Sequence, residues 1–249
     1  MSLVCADIEL AAPAVQSISD DIKKQGWAYR DGDGLARHFN LDAESWAEFA
    51  GYWDGLVLDE YMADRGTYRY RRYSEFDFRD GGSLHKLPHA PYEQARYINT
   101  LNGGVARHFL PLEQGMVEHP FFNALLSGMA RIFDAAEGTT CDWNIRLHPY
   151  RIVSNDEEQG KPTPEGRHRD GVDYIVMLLI RRVGITGGTT RVSTPLNKTL
   201  CEVTLANGLD MILGDDHQIM HEVSPINSLE IGRQGHRDAL VIAFTRKGS

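Results

Sequence analysis

Cysteine is scarce in this chain of 249 residues, which contains only Cys5, Cys141 and Cys201. The three are odd in number, far apart in sequence and not arranged in CxxC pairs. This pattern argues against a disulfide framework and against structural zinc. We therefore expect reduced, buried thiols and a cytoplasmic protein.

Long apolar runs and excess positive charge are lacking as well. The longest apolar stretch, YIVMLLI, has the length of a strand and is too short to cross a membrane. No basic segment precedes an apolar run at the N-terminus, so no signal peptide is expected. The net charge of -9 argues against nucleic-acid binding. A small molecule is the expected partner, and the sequence leaves the oligomeric state open.

The N-terminal part of the chain carries helical patterns. One helix is predicted to begin with Ser19 or Asp20 as its N-cap and to end at Gly26. A second has Asp42 as its N-cap, and the clearest helix ends at Gly138. Between them, TYRYRRYSEFDF alternates aromatic and charged residues, which predicts a half-buried strand.

The pattern changes after residue 140, where short β-rich runs are separated by Gly, Asp, Asn and Pro. Many short strands at this spacing favour a sandwich or barrel. We predict one domain over residues 1–249 of the α+β class, mainly β. Residues 1–139 would provide mostly helical support and flanking strands, and residues 140–249 the core. The polar loop 154–166 would be a mobile loop that could act as a lid.

A small set of polar residues in the β-rich half has the spacing of a metal site. On a strand, His168 and Asp170 would point to the same face, and His221 could meet them from a neighbouring strand. Two histidines and one carboxylate are the ligand set of non-haem Fe(II) oxygenases. His217 is the weaker candidate for the third ligand. Arg237 follows on an apolar strand, where it could hold the far carboxylate of a keto-acid cosubstrate.

The His-x-Asp pattern alone is weak, because ten histidines produce it readily by chance. The alternative is a surface His-Asp pair together with an unrelated core histidine. The order of the elements favours the metal site: the pair precedes the Gly187-Gly188 turn, then His221 before Val-x-Pro, then the strand with Arg237.

Residues 140–246 resemble the Fe(II)/2-oxoglutarate-dependent dioxygenases with a double-stranded β-helix (jelly-roll) fold. The segments PTPEGRHRDGVDY, GGTTRV, MHEVSPI and RDALVIAF resemble more narrowly the bacterial amino-acid dioxygenases, including isoleucine 4-hydroxylase and the biofilm, stress and motility proteins. The resemblance implies that His168, Asp170 and His221 bind Fe(II), and that Arg237 pairs with the 5-carboxylate of 2-oxoglutarate. It also implies O2 as cosubstrate, with succinate and CO2 as products.

One position departs from the family pattern. Many relatives have Ser two residues after the arginine, whereas this chain has Ala239. A hydroxyl partner for the carboxylate must therefore come from elsewhere, and Thr189 or Thr190 is the suggested source.

The substrate implied by the resemblance is a small free L-amino acid such as isoleucine, leucine or methionine. Such a molecule needs a cation for its carboxylate and an anion for its ammonium group. The candidates for these contacts lie near the metal site in sequence: Arg146, His148, Arg167 and Asp173, with Arg151 and Glu165 as further charges.

Two other classes of function stay open at this point. One is a cupin-like metal protein that binds or isomerises a small ligand without oxygen. The other is a sensor that binds ligand without turnover. Arg237 argues against the first, and the complete ligand set argues against the second.

Overall fold

The computed structural model describes residues 8–79, 82–94 and 103–248. In this part of the chain the helices are α1 (Ala12–Gln25), α2 (Gly32–Phe39), α3 (Ala43–Gly51), α4 (Gln114–Glu118) and α5 (Pro120–Glu137). The N-terminal strands are β1 (Trp27–Arg30), β2 (Val57–Leu58), β3 (Arg69–Arg71), β4 (Ser74–Arg79) and β5 (Ser83–Lys86). The later strands are β6 (Trp143–Ser154), β7 (Tyr174–Val183), β8 (Ile185–Gly187), β9 (Thr189–Ser193), β10 (Thr199–Thr204), β11 (Met211–Asp215), β12 (Met220–Val223), β13 (Ile226–Ser228) and β14 (Gly235–Arg246).

The strands form one large antiparallel sheet that faces smaller ones. The large sheet has the order β1-β11-β7-β14-β6-β3-β2, and β4 pairs with β6 and β5. Opposite it lie the three-stranded sheet β10-β9-β12 and the pair β13-β8. This is the predicted double-stranded β-helix (jelly roll), confirmed as mainly β with helices on the outer side.

Alternation along the central strands separates two cores. On β14, Leu240, Ile242 and Phe244 pack on the outer side, in the core that also contains the buried residues of α1 and α5. Val241 and Ala243 point the other way, into the space between the sheets. Because successive side chains of a strand face opposite sides, the large sheet both carries the helices and lines the barrel interior.

The helices confirm most of the predicted boundaries. Gly26 ends α1 with a left-handed φ of 82°, and the Asp42 side chain accepts a hydrogen bond from Ser45 N at 2.8 Å at the start of α3. The predicted start of α1 at Ser19 or Asp20 is wrong. The helix begins at Ala12 with a proline in its first turn, because proline needs no N–H donor there and has a helical φ.

The predicted strand through TYRYRRYSEFDF is in fact two strands. Arg69–Arg71 pairs with β6 at Tyr150 to Ile152, while Ser74–Arg79 pairs with β6 near its N-terminal end. Arg72 and Tyr73 interrupt the pairing, so β3 and β4 pair with different parts of β6.

The loop 154–166 is attached to the smaller sheets. Gly160 exchanges two backbone hydrogen bonds with Ile226, and the Thr163 hydroxyl contacts Val223 N and O at 3.0 Å each. Glu158 accepts a hydrogen bond from the Thr67 hydroxyl at 2.6 Å. The described thiols, Cys141 and Cys201, are free and only half-buried. No helix in the described ranges is long and apolar enough to cross a membrane.

A buried carboxylate on the outer face joins β14 to its neighbours. Asp238 is fully buried and accepts hydrogen bonds from Arg151 at 2.8 Å and from Arg181 at 2.7 Å. Removing it in Asp238→Ala leaves two guanidinium groups without their buried partner. We expect the free energy of unfolding to fall by about 3–5 kcal/mol, measured by urea denaturation.

Asp54 provides the matched control, because it contacts the same two arginines from an exposed position. Asp54→Ala should lower the free energy of unfolding by less than about 1 kcal/mol, because surface ion pairs contribute little. Equal decreases in the free energy of unfolding in the two variants would contradict the role given to burial.

Candidate metal centre

Three side chains converge between the sheets. His168 Nε2 lies 3.7 Å from Asp170 Oδ1, and His221 Nε2 lies 3.7 Å from Asp170 Oδ2. The candidate ligand atoms of all three residues fall within 4.8 Å of one another. The alternative of a surface pair and an unrelated core histidine does not describe this arrangement.

The backbone that holds this cluster differs from the expected strand. His168 and His221 form an isolated antiparallel bridge, with both N–O distances 3.0 Å. Asp170 lies in an irregular segment that precedes β7. The expectation that His168 and Asp170 share a regular strand is therefore wrong, although the two side chains do face the same side.

Asp216 explains why the irregular segment keeps its shape. Its carboxylate accepts hydrogen bonds from the backbone N–H groups of Asp170, Gly171 and Val172, at 3.1, 2.7 and 3.1 Å. The segment GDDHQ around it has the residues of a turn, and Asp216 was not among the predicted site residues. The second aspartate of this segment was the available signal, because a buried carboxylate in a turn commonly satisfies nearby N–H donors.

We expect Asp216→Asn to weaken Fe(II) binding by about 10- to 100-fold, as loss of a group that orients ligands does. The amide still fills the space but replaces one acceptor oxygen with a donor. Iron titration of the apoprotein measures the effect. Asp215→Asn is the control, because the Asp215 side chain accepts hydrogen bonds from His217 N and Gln218, which lie in its own turn. Equal affinities in both variants would contradict the assignment.

The protonation pattern of the cluster suits a cation. His168 Nδ1 lies 2.8 Å from the Gly166 carbonyl, so the neutral ring carries its proton on Nδ1 and its lone pair on Nε2. Burial, and then the nearby His168, lower the pKa of His221 to about 3, so its ring is neutral. Burial raises the pKa of Asp170, whose Oδ2 has no hydrogen-bond partner among the described residues. A metal ion would provide the missing positive charge.

His217, the weaker candidate for the third ligand, lies elsewhere. Its side chain is 67% exposed and its Nε2 lies 3.1 Å from Asp173 Oδ1. Glu165, by contrast, approaches the cluster, with Oε1 3.5 Å from His168 Nε2.

Arg237 is buried between the sheets and has an unexpected neighbour. It pairs across the strands with Arg182 of β7. A bulge between Asp238 and Ala239 leaves Ile180 unpaired, which shifts the side-chain alternation of β7 by one residue. Arg181 therefore faces outward to Asp238, while Arg182 faces inward beside Arg237.

The two inward arginines meet at Gly188. A Cβ on this residue would lie 2.9 Å from Arg182 Nη1 and 3.4 Å from Arg237 Cδ, and its φ is +70°. Arg237 Nε and Arg182 Nη1 are buried without a hydrogen-bond partner in the described ranges. Burial, and then the charge of Arg182, lower the pKa of Arg237 to about 10. Both groups remain charged at neutral pH, which suits an anion.

The two threonines after the glycine pair face opposite sides. The Thr189 hydroxyl is 2.7 Å from the Thr204 hydroxyl on the outer side of β9. Thr190 is fully buried, and its hydroxyl has no partner in the part of the chain described. Of the two, Thr190 points to the interior.

The predicted substrate contacts separate into two groups. His148 and Arg146 pair with Val241 and Ala243 of β14 and share their interior face. Arg146 Nε lies 3.7 Å from Glu75. Arg167 donates instead to the carbonyls of Thr194 and Pro195. Asp173 and Arg151 bind charged partners away from the cluster, Arg246 and Asp238 respectively.

Fold and site together define a jelly-roll protein with a 2-His-1-carboxylate cluster and a buried arginine on its last strand. A family model described as 2OG-Fe dioxygenase matches residues 50–243, and the chain belongs to this family. It is therefore an oxidoreductase of a family whose members use Fe(II), 2-oxoglutarate and O2.

Similar proteins cover nearly the whole chain. The 3(1)-hydroxy-L-isoleucine 4-dioxygenase of Pantoea ananatis (strain AJ13355) is 23% identical over 236 residues, 90% of this chain and 94% of that protein. The crystal structure of a bsmA homolog from Methylobium petroleophilum PM1 is 32% identical, with a TM-score of 0.85 and coverage of 97% and 96%. IDO from Bacillus thuringiensis shares the fold, at 16% identity, a TM-score of 0.77 and coverage of 94% and 96%.

Proposed function

We propose that the protein oxidises a small free L-amino acid such as isoleucine, leucine or methionine. A C–H bond would become C–OH, or a thioether a sulfoxide. One O2 is consumed, and 2-oxoglutarate is converted to succinate and CO2. The observation that carries the proposal is the convergence of His168, Asp170 and His221 in a barrel that also buries Arg237, whose Nε has no hydrogen-bond partner among the described residues. The named activity of the Pantoea ananatis relative supports the substrate class.

His168, Asp170 and His221 would hold Fe(II). Two imidazole nitrogens and one carboxylate suit this ion and leave coordination positions for other ligands. The Gly166 carbonyl fixes the His168 tautomer, and Asp216 holds the backbone of Asp170. When bound, iron with 2-oxoglutarate supplies the oxygen activation. The contribution of the protein is to orient both partners and exclude water.

Arg237, Arg182 and Thr190 would hold the 5-carboxylate of 2-oxoglutarate. The guanidinium groups of the buried Arg237 and the half-buried Arg182 lie side by side, which is unfavourable without an anion, and a carboxylate matches their planar donors. The Thr190 hydroxyl supplies the donor that Ala239 lacks. Arg182 thus adds a second guanidinium group to the carboxylate contact that was predicted for Arg237 alone.

The test has two stages. Anaerobic addition of Fe(II) and 2-oxoglutarate should give a weak visible metal-to-ligand charge-transfer band, and its absence in folded protein would exclude the proposed cofactor site. The common L-amino acids are then screened for substrate-dependent succinate release. A band without stimulation by any amino acid would exclude the amino-acid substrate but leave the dioxygenase assignment standing. It would also favour ligand sensing without turnover.

A further inference from the structure

Three arginines that the sequence did not single out are buried beside the barrel interior. Arg69, Arg71 and Arg107 are each less than 10% exposed. Asp59 is the carboxylate in direct contact with them within the described ranges, and Arg69 binds it at 2.7 and 2.8 Å. Arg71 lies 3.8 Å from the same oxygen. One of the three charges is therefore neutralised, and the charges of Arg71 and Arg107 remain in excess.

The hydrogen bonds of Arg71 and Arg107 leave donors free. Arg71 Nη2 lies 2.5 Å from His148 Nδ1. Because arginine can only donate, His148 accepts this bond and is neutral. Arg107 Nη2 donates to the neutral side chain of Gln94 at 3.0 Å. The Nε atom of each arginine is buried with no hydrogen-bond partner in the described part of the chain.

Aromatic rings hold both guanidinium groups in place. Arg71 lies 3.9 Å from the ring centroid of Phe109 and 4.6 Å from that of Tyr150. Arg107 lies 4.6 Å from the ring centroid of Tyr92, and Arg71 lies 5.5 Å from the same ring. These contacts stabilise cations but provide no counter-charge. Donors fixed in this way lose little conformational entropy when an anion binds.

The arginines face the same interior as the metal-ligand cluster. Arg71 pairs with Tyr150 of β6, which pairs in turn with Ala239 of β14. Arg107 lies over the Tyr92 ring, and the centroid of this ring lies 4.6 Å from that of the His148 ring. Tyr92 also lies within electrostatic reach of Asp170. An anion bound by these arginines would therefore lie on the interior side of β6, whose neighbour β14 carries Arg237.

We infer that Arg71 and Arg107 form the binding site for a carboxylate of the substrate, which is therefore a free acid and not a residue within a peptide chain. The inference rests on the proposed function and adds the group that the enzyme recognises. Asp59 binds Arg69 more closely, so Arg71 and Arg107 lack a counter-ion of their own within the described ranges. Two such buried charges are unfavourable, and the substrate carboxylate supplies the missing negative charge. The other interior arginine of β6, Arg146, already lies near Glu75. It is therefore less suited to this role.

The test compares ligands that differ only in the carboxylate: L-isoleucine with L-isoleucinamide, and 3-methylpentanoate with 3-methylpentanamide. Succinate release and the shift of the anaerobic charge-transfer band are measured for each. Only the two carboxylates should stimulate release or shift the band. Equal responses to the amides would overturn the inference. The inference would also be overturned if Fe(II) and 2-oxoglutarate gave the charge-transfer band but neither carboxylate shifted it or stimulated succinate release. The assignment of iron and 2-oxoglutarate binding would then still stand.

The variants assign the effect to the arginines. Arg107→Gln should raise the KM for the responding carboxylate by about 10- to 100-fold, as loss of a hydrogen bond to a charged group does. Arg107→Lys should restore part of this loss. The band without substrate should stay unchanged, which separates substrate binding from damage to the metal site. Arg71→Lys provides a second test, because Arg71→Gln risks misfolding at this fully buried position.

Arg191→Gln is the matched control. It removes one charge from the outer face of β9, where Glu222 pairs with the arginine at 2.7 Å, and should leave the KM within about twofold. A KM equally unaffected in Arg107→Gln would overturn the inference. If 3-methylpentanoate responds in an Arg107-dependent way but no amino acid does, the amino-acid proposal is wrong and the carboxylate site stands.

Discussion

His221→Ala is expected to abolish the charge-transfer band and substrate-dependent succinate release. The ring supplies one of three candidate ligands, and its Nε2 lies 3.7 Å from Asp170 Oδ2. Loss of a direct ligand should weaken Fe(II) binding by more than about 100-fold, the upper end for residues that only orient a ligand. Iron titration and anaerobic spectroscopy measure the two effects. Circular dichroism and thermal melting check that the variant is folded.

His217→Ala is the control for this prediction. His217 lies four residues earlier, but its side chain is 67% exposed and contacts Asp173. Iron affinity should stay within about twofold, because no candidate ligand changes. If His217→Ala abolished the band and His221→Ala kept it, the third ligand would be assigned to the wrong histidine.

Arg237→Ala should raise the 2-oxoglutarate concentration needed for half-maximal succinate release by about 100-fold, since a bidentate charged contact is lost. Iron binding without 2-oxoglutarate should change by less than about threefold, because the arginine is not a candidate ligand. Burial, and then Arg182, lower the pKa of Arg237 to about 10, so the side chain is still charged at pH 7. A variant with an unchanged requirement for 2-oxoglutarate would exclude Arg237 from the site.

Arg182 and Arg181 allow a sharper comparison. Arg182→Met removes the second inward cation and should raise the same requirement by about tenfold. Arg181→Met removes the neighbouring charge, which faces outward to Asp238 and Asp54, and should leave it within about twofold. If Arg181→Met had the larger effect, the side-chain directions that follow from the bulge would be reversed.

The local pattern of the sequence was sufficient for several parts of the molecule. The ends of α1 and α5 at Gly26 and Gly138 follow from glycine's access to left-handed backbone conformations. These features depend on residues that are close together along the chain, so their spacing alone predicted them.

Other features depend on contacts between distant residues. The bulge at Ile180 moves Arg182 to the interior, whereas unbroken alternation would have put Arg181 there. Asp216 holds a segment more than forty residues before it. Arg71 and Arg107 come from segments far apart in sequence and approach the same Tyr92 ring. Nothing in their local spacing distinguishes them from surface arginines, because burial without a partner is a property of the packed chain.

The sequence by itself was sufficient to predict the candidate ligand set, the arginine of the last strand and the family. These are residue types whose chemistry is specific wherever they are brought together. Tertiary structure alone decided which charges are neutralised. Arg151, Arg181 and Arg69 have buried carboxylate partners, while Arg237, Arg182, Arg71 and Arg107 each have a buried donor nitrogen without a partner in the part of the chain that the structure describes. The physical reason is that a charge becomes a binding site only when burial removes water and supplies no counter-ion.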